Sequence, residues 1–505
     1  MKRGPLFMVS LAIMVSTFAQ GQAPVSPFPV EDKAQLFLDQ VLVREAQGIA
    51  FTLHPARKHP ESPLVKADQP WEGWRLEIYG NVIFDAEEDL FKMWYLGEET
   101  ETFPNYAVYY AVSKDGIHWE KPLVGTVATD KYPSHNIVAA DIILPCVIKD
   151  NKDADPEKRY KMIGWDQKNH GYHTWISPDG LHWNRFSEAP LCRGGDVITG
   201  YYDEKRAQYI AFPKINHMVR GHDRRVFWLI TSPDFQTWTE PELVITADLR
   251  DDASSLARIE EVRPILDVPD DPNLMRTEFY GVGAYPAESC TLAFLWMFTV
   301  NNNARYGNQE GPGELQLAVS RDLRQWERPF RTPCVPRGKP GEWDGGFFTS
   351  QSRAIQVKDE VWLYYTASTY THGTPCLYRA ENTGRHTTHT GSIGLAIWDR
   401  DRFVSADASS DGGVLTTVPV VFTGNRLEIN ARTGTEGSIT VSLLDAAETP
   451  LPGFETSEPL SGDNLRHEVR WNGSTDLSAL TGKPVTVRFT MRNAELFAFA
   501  FRKQQ

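Results

Sequence analysis

Runs of five to ten mostly apolar residues recur through residues 66–404, each bounded by Gly, Asp, Asn or Pro and rich in β-branched and aromatic side chains. Runs of that length and composition predict strands joined by turns, not helices. They also come in sets. "DLFKMWYLG" precedes "AVYYAVSKDGIHW", "KRYKMIGWD" precedes "YHTWISPDGLHW", "AQYIAFPKI" precedes "LITSPDFQTW", and "TLAFLWMFTV" precedes "LAVSRDLRQW". A fifth set pairs "EVWLYYTAS" with "GSIGLAIWDRDRF". Four of the sets end on Ser, a turn carrying Asp, and then Trp, at Trp119, Trp183, Trp238 and Trp326. Polar turns such as "DAEEDL", "DNKDADPEKR" and "DEKRAQ" close the hairpin ahead of each. Self-similarity of this kind is the mark of a repeat architecture. One unit is an inner, a middle and an outer strand, and five such sheets set radially make a five-bladed β-propeller over residues 66–404. The repeated Trp is explained by packing, because a broad flat ring fits the gap between blades.

After residue 404 the blade pattern stops. Residues 405–505 alternate apolar and polar positions over short strands and predict a C-terminal β-sandwich, so the whole chain is expected to be all-β. Its exposed aromatics are few, which favours a structural appendage over a carbohydrate-binding module. Residues 24–65 are expected to wrap the propeller, with part of "VLVREAQGIAFTLHP" closing its ring. Residues 1–23 have a basic start at Lys2 and Arg3, an apolar run, and then small and polar residues. That reads as a secretory signal peptide, too short for a membrane span, and predicts export to the periplasm or beyond. No other stretch is long and apolar enough to cross a bilayer.

Composition narrows the function. Net charge is −14, from 52 basic and 66 acidic residues without a block of either sign, which argues against nucleic acid or an anionic membrane as partner. The five cysteines show no CxxC spacing, so no zinc site is expected, and Cys146 and Cys290 read as buried free thiols in core strands. No phosphate-cradling GxxxxGK[ST], dinucleotide GxGxxG or GxSxG elbow stands in a suitable context.

The blades carry acids in register. Glu77 precedes Trp119 by 42 positions, Asp141 precedes Trp183 by 42, and Asp196 precedes Trp238 by 42. Glu278 precedes Trp326 by 48 across a longer hairpin, and Asp344 heads the matching strand of blade five. Inner strands begin at one mouth of a propeller's channel, so these five acids are expected to line one funnel. Crowded, partly desolvated carboxylates have some pKa values raised, which puts a proton-bearing acid beside ionised carboxylates. Glycosidic bond cleavage needs that combination. Asp141, Asp196, Glu278 and Glu77 are therefore the candidate catalytic groups. Trp343, Tyr79, Phe279 and Tyr280 offer flat faces for sugar rings. Arg75, Arg193 and Arg353 could hold hydroxyls or an anionic substituent, with Asp344 and His372 at the mouth. His386 and His389 lie on a Gly- and Thr-rich loop nearby, with no third metal ligand in view. No cofactor is required, although channel carboxylates could also hold a structural divalent cation.

The phrases "LFKMWY", "YAVSKDGIHWEKP" and "VWLYYTAS" resemble the five-bladed propeller glycoside hydrolases, the superfamily of families 32, 43, 68 and 130. In families 32 and 43, three acids from the first three blades do the work. Carried over by position, the resemblance implies those roles for Glu77, Asp141 and Asp196, although the motifs "NDPNG", "RDP" and "EC" of family 32 are absent here. The expectation is an exported glycoside hydrolase acting on a carbohydrate substrate. The alternatives are a glycoside phosphorylase, which needs a basic pocket for phosphate, and a non-catalytic glycan-binding propeller, which needs no convergent acids.

Overall fold

A computed structural model of the chain describes residues 26–97, 106–305, 307–373 and 391–503. The expected signal peptide, His386, His389 and Cys376 lie outside the described residues. Strands dominate, and five sheets repeat the inner–middle–outer order read from the sequence. In blade one, Leu76–Glu77 and Val82–Asp85 share the partner Leu90–Gly97, which is followed by Ala107–Ser113 and Ile137–Ala140. Blade two runs Ile142–Lys149, Tyr160–Asp166, Gly171–Ser177 and Asn184–Arg185. Blade three runs Ile198–Asp203, Gln208–Val219, His222–Ser232 and Glu242–Ile245. Blade four runs Arg276–Pro286, Thr291–Val300 and Gly313–Ser320. In blade five, Phe348–Ser350 and Ile355–Val357 flank Glu360–Ser368, then comes Gly391–Asp399. The molecule is an all-β protein built on a five-bladed propeller.

The Ser-turn-Trp repeat forms the seams. Asp115, Asp179, Asp234 and Asp322 each accept two backbone N–H bonds with one carboxylate oxygen, fixing the turn. The turn residue that follows has a left-handed backbone, at Gly116 (φ 75), Gly180 (φ 78), Phe235 (φ 65) and Leu323 (φ 67). Gly116 and Gly180 carry the contact to the previous blade in the ring. The Tyr364 hydroxyl of blade five donates to the Gly116 carbonyl at 2.7 Å, and the Trp94 indole of blade one donates to the Gly180 carbonyl at 2.8 Å. The repeat Trp rings sit in the same gaps: Trp119 meets Tyr364 edge-on at 5.7 Å, and Trp326 meets Phe212 of blade three at 6.1 Å. These rings pack, as expected.

Ring closure differs from the expectation. Val43–Gln47 and Ile49–Leu53, separated by Gly48 (φ 65), join the C-terminal sheet on different strands, Gly413–Thr417 and Val404–Ala408, at the two ends of its strand order. Their exposed and half-exposed side chains suit a sheet edge, not the packed side of a blade. The strand that closes blade five is the shorter Arg57–Lys58, past Pro55, paired with Ile397 and Ala396. The C-terminal strands, with the long Arg426–Leu444 and Thr486–Arg502 at their centre, are hydrogen-bonded into one eight-stranded sheet around a separate apolar core. Glu288 of blade four joins the parts, accepting from the Ala34 backbone (2.8 Å), Arg400 (2.6 Å) and Arg502 (2.7 Å). Cys146 and Cys290 are buried and free, as read from the sequence.

Candidate active site

One mouth of the channel holds a cavity of about 120 Å³ whose wall includes Arg75, Glu77, Tyr79, Tyr106, Tyr280 and His372. It shares Asp196, Tyr280 and Asn308 with a shallower recess of about 580 Å³ that adds Trp165, Lys214 and Arg225.

Glu77 ends a two-residue strand paired with Leu96, before the chain breaks away and resumes pairing at Val82. The break passes through Gly80, where a Cβ would lie 2.6 Å from the carbonyl oxygens of Pro145 and Trp94. Glu77 is 7 % exposed. Its Oε1 accepts from the Tyr79 hydroxyl at 3.2 Å and lies 3.3 Å from the Arg75 guanidinium. Its Oε2 is buried with no hydrogen-bond partner among the described residues. An unpaired buried carboxylate oxygen is costly, and such a group favours the protonated form or a ligand that donates to it. Burial pushes the Glu77 pKa up, Arg75 and Tyr79 pull it down, and the nearby Asp196 charge adds to the rise; the net shift is upward.

Asp196 stands ahead of the inner strand of blade three, after Gly194 and Gly195. It lies within the funnel, yet 52 % of its side-chain surface is open to the mouth. Lys214 donates to its Oδ1. Burial pushes its pKa up, but the Lys214 charge and hydrogen bond, with Arg225 behind, outweigh that and hold it below the usual carboxylate range. Two carboxyl groups lining one cavity are thus pushed in opposite directions.

The other predicted acids take different places. Asp141 is a single left-handed residue (φ 60) between Ile137–Ala140 and Ile142–Lys149, and its carboxylate meets Lys168 at 2.5 Å, outside the cavity lining. Glu278 is fully buried between Arg225 (2.5 Å) and Arg276 (2.6 Å), one layer behind the wall. Asp344 is buried against Lys58 at 2.6 Å, where it anchors the ring-closing strand. Only Glu77 and Asp196 of the five line the cavity. With Glu278 and Asp344 already neutralised, the acids do not form a cation cage, and no group of three or more His, Cys, Asp or Glu among the described residues is placed to hold a metal.

The binding candidates also divide. Tyr280 lines both parts, and its ring faces the Lys214 ammonium at 4.9 Å and Arg225 at 5.6 Å. His372 packs edge-on or tilted among the rings of Tyr280, Phe298 and Phe347. Burial, and then the Arg225 charge, lower its pKa to about 3, so it is neutral at ordinary pH. Its Nδ1 lies 2.7 Å from the Gln309 carbonyl, which can only accept, leaving Nε2 as an acceptor. Arg75 lines the cavity and donates to the Tyr106 hydroxyl at 3.0 Å. Tyr79 lines it too, stacked on Trp296 at 5.5 Å. Arg193 is exposed beside Gly194. Trp343 stacks on Tyr365 at 5.6 Å and Phe279 on Phe227 at 6.4 Å, both away from the cavity. Arg353 pairs with Glu204 at the opposite end of the channel. Sequence reasoning missed Lys214, Arg225 and Tyr106. A lone lysine in the apolar run "YIAFPKI" was the available signal for Lys214, since a lysine in such a run needs a counter-ion.

No protein-family model matches the chain, and no curated protein matches it. Among solved structures it is similar to a glycosyl hydrolase from Bacteroides ovatus, at 12 % identity over 70 % of this chain and 96 % of that one, with a TM-score of 0.41. It is similar to β-1,2-mannobiose phosphorylase from Listeria innocua, at 13 % identity over 68 % of this chain and 96 % of that one, TM-score 0.41. It is also similar to an N-acetylgalactosamine deacetylase from F. plautii, at 14 % identity over 75 % of this chain and 96 % of that one, TM-score 0.39. The three titles name different reactions, and likeness at this level carries no argument about activity.

Proposed function

We propose that the chain is a glycoside hydrolase of the exported kind, with Glu77 as proton donor and Asp196 as the ionised carboxylate. The observation that carries this reading is the opposite displacement of two carboxyl pKa values in one cavity walled by tyrosines. In the reaction, Glu77 gives its proton to the glycosidic oxygen as the bond from that oxygen to the anomeric carbon breaks. Asp196 either attacks the anomeric carbon or takes a proton from the water that does. Tyr280 offers a ring face, and His372 Nε2 and the Thr349 hydroxyl, which has no partner among the described residues, offer hydrogen bonds to sugar hydroxyls. Hydrolysis is favoured over phosphorolysis because the cations are already committed. Arg75 is held by Glu77 and Tyr106, Lys214 by Asp196, and Arg225 by Glu278 and Gln309.

The test is Glu77→Gln and Asp196→Asn on a panel of oligosaccharides, with and without phosphate, alongside a binding measurement. Each variant should lose roughly 10²–10⁴-fold in turnover while still binding, the usual scale for one acid or base. Asp141→Asn, outside the cavity lining, should keep most activity. Undiminished turnover in both cavity variants rejects the assignment, wild-type turnover that requires phosphate makes the enzyme a phosphorylase, and wild-type binding without turnover makes it a glycan-binding propeller.

A further inference from the structure

Lys214 lies in the strand Gln208–Val219, with its side chain 5 % exposed and its ammonium between the Asp196 carboxylate and the face of Tyr280. The backbone before Asp196 is laid over it. The Gly195 N–H donates to the Lys214 carbonyl at 3.0 Å, and the Lys214 N–H donates to the Val197 carbonyl at 2.8 Å. A Cβ at Gly195 would stand 2.9 Å from Lys214 Cε, a measure of how closely the chain runs over the lysine side chain. The ion pair is lopsided. Burying an ammonium is costly unless a partner charge repays it, and a pair that served only the core would bury both ions. Here the cation is buried and half of the anion is open to the cavity. Arg225, the next cation, is held by Glu278 at 2.5 Å and Gln309 at 2.7 Å, so the direct contact to Asp196 falls to Lys214.

We propose that Lys214 is a positioning residue for the reaction, a fixed cation beneath Gly195 that aims the Asp196 carboxylate into the cavity. The catalytic consequence rests on the glycosidase reading; the physical one does not. Burial, chiefly, lowers the pKa of Lys214, and the Asp196 charge is the largest effect opposing that, with Glu278 adding to it. The other groups facing Asp196 are Arg225, Glu77 and the hydroxyls of Tyr106, Tyr172 and Tyr280.

The experiment follows the Asp196 carboxyl by carbon-13 NMR in the full chain, assigned by its loss in Asp196→Asn. In the wild type its titration midpoint should lie below the usual aspartate value of about 3.9. Lys214→Met should raise the midpoint by about one unit or more, and Lys214→Arg should restore part of the shift. Because Asp196 keeps its water, the Met variant strands no buried carboxylate and should fold. On a substrate that is turned over, Lys214→Met should lower kcat about tenfold or more with KM little changed and move the acid limb of the pH profile upward. An unchanged midpoint in Lys214→Met overturns the proposal, and so does an ordinary midpoint in the wild type, which needs no variant at all. A midpoint that moves in a protein that cleaves no glycan leaves the role of Lys214 standing and removes the hydrolase reading instead.

Discussion

Asp196 must be ionised and Glu77 protonated for the proposed chemistry, and their pKa values are displaced apart, Asp196 downward and Glu77 upward. The rate therefore rises as pH climbs through the Asp196 pKa and falls as it passes the Glu77 pKa. A bell-shaped kcat/KM profile is expected, and Asp196→Asn should flatten its acid limb in whatever activity remains. A third titrating group, Asp401, lies outside the site. Asp401 is buried beside Arg400 in a left-handed conformation (φ 63), and burial above all pushes its pKa from 3.8 up to about 6. A raised folded-state value means the contribution of this group to stability is complete below pH 3.8 and is lost as pH rises through about 6. At pH 8 the ionised form costs up to about 3 kcal/mol. Asp401→Asn keeps the shape and tolerates the backbone, so it should raise Tm at pH 8 and leave it unchanged near pH 4. Calorimetry at the two pH values checks this, and an equal effect at both would exclude titration as the cause.

At the scale of the strand and turn, the seams between blades depend on glycines that the repeat places but whose partners it does not name. A Cβ on Gly116 would stand 2.7 Å from the ring of Trp362 and the hydroxyl of Tyr364; one on Gly180 would stand 2.8 Å from Trp94. Both backbones are left-handed as well. Gly180→Ala should therefore cost about 2–4 kcal/mol, the sum of overpacking and backbone strain. Gly221 is the control: its φ is 80, but nothing lies within 4 Å of the position of a Cβ. Gly221→Ala should cost only about 1 kcal/mol, from the backbone alone. Urea denaturation of the two variants separates these terms, and equal losses would mean the seam contact adds nothing. Phe235 and Leu323 accept the same strain because their side chains are buried at the seam.

For the molecule as a whole, the ring is closed by a short segment laid along Gly391–Asp399, from Arg57–Lys58 and His59 to Leu64 and Val65. Arg57–Lys58 forms the outer edge of blade five, and Lys58 is the partner of Asp344, whose side chain is only 4 % exposed. Removing Lys58 leaves that carboxylate buried without its cation, so Lys58→Met should destabilise the chain by about 3–5 kcal/mol. Adding Asp344→Asn should recover much of the loss. If guanidinium melts show Lys58→Met to be neutral, the closing strand is held by its backbone pairing alone.

The sequence by itself determined the strands, their grouping into five sheets, the seam turns and the mouth of the channel as the place to look. Those features are local: side-chain period, turn chemistry and a repeat length are written in consecutive residues. It also pointed to Glu77 and Asp196, which line the cavity, because an acid just ahead of an inner strand stands near the axis. It could not choose between them and Asp141, Glu278 or Asp344, which share that position. What separates the five is the cations each meets, and for the three outside the cavity these include one distant in sequence: Lys168 for Asp141, Arg225 for Glu278, Lys58 for Asp344. Lys58 comes from a segment 286 residues away in the chain. Whether a carboxylate serves as acid, as base or as one half of an ion pair depends on its burial and its neighbours, and only the folded chain brings those together.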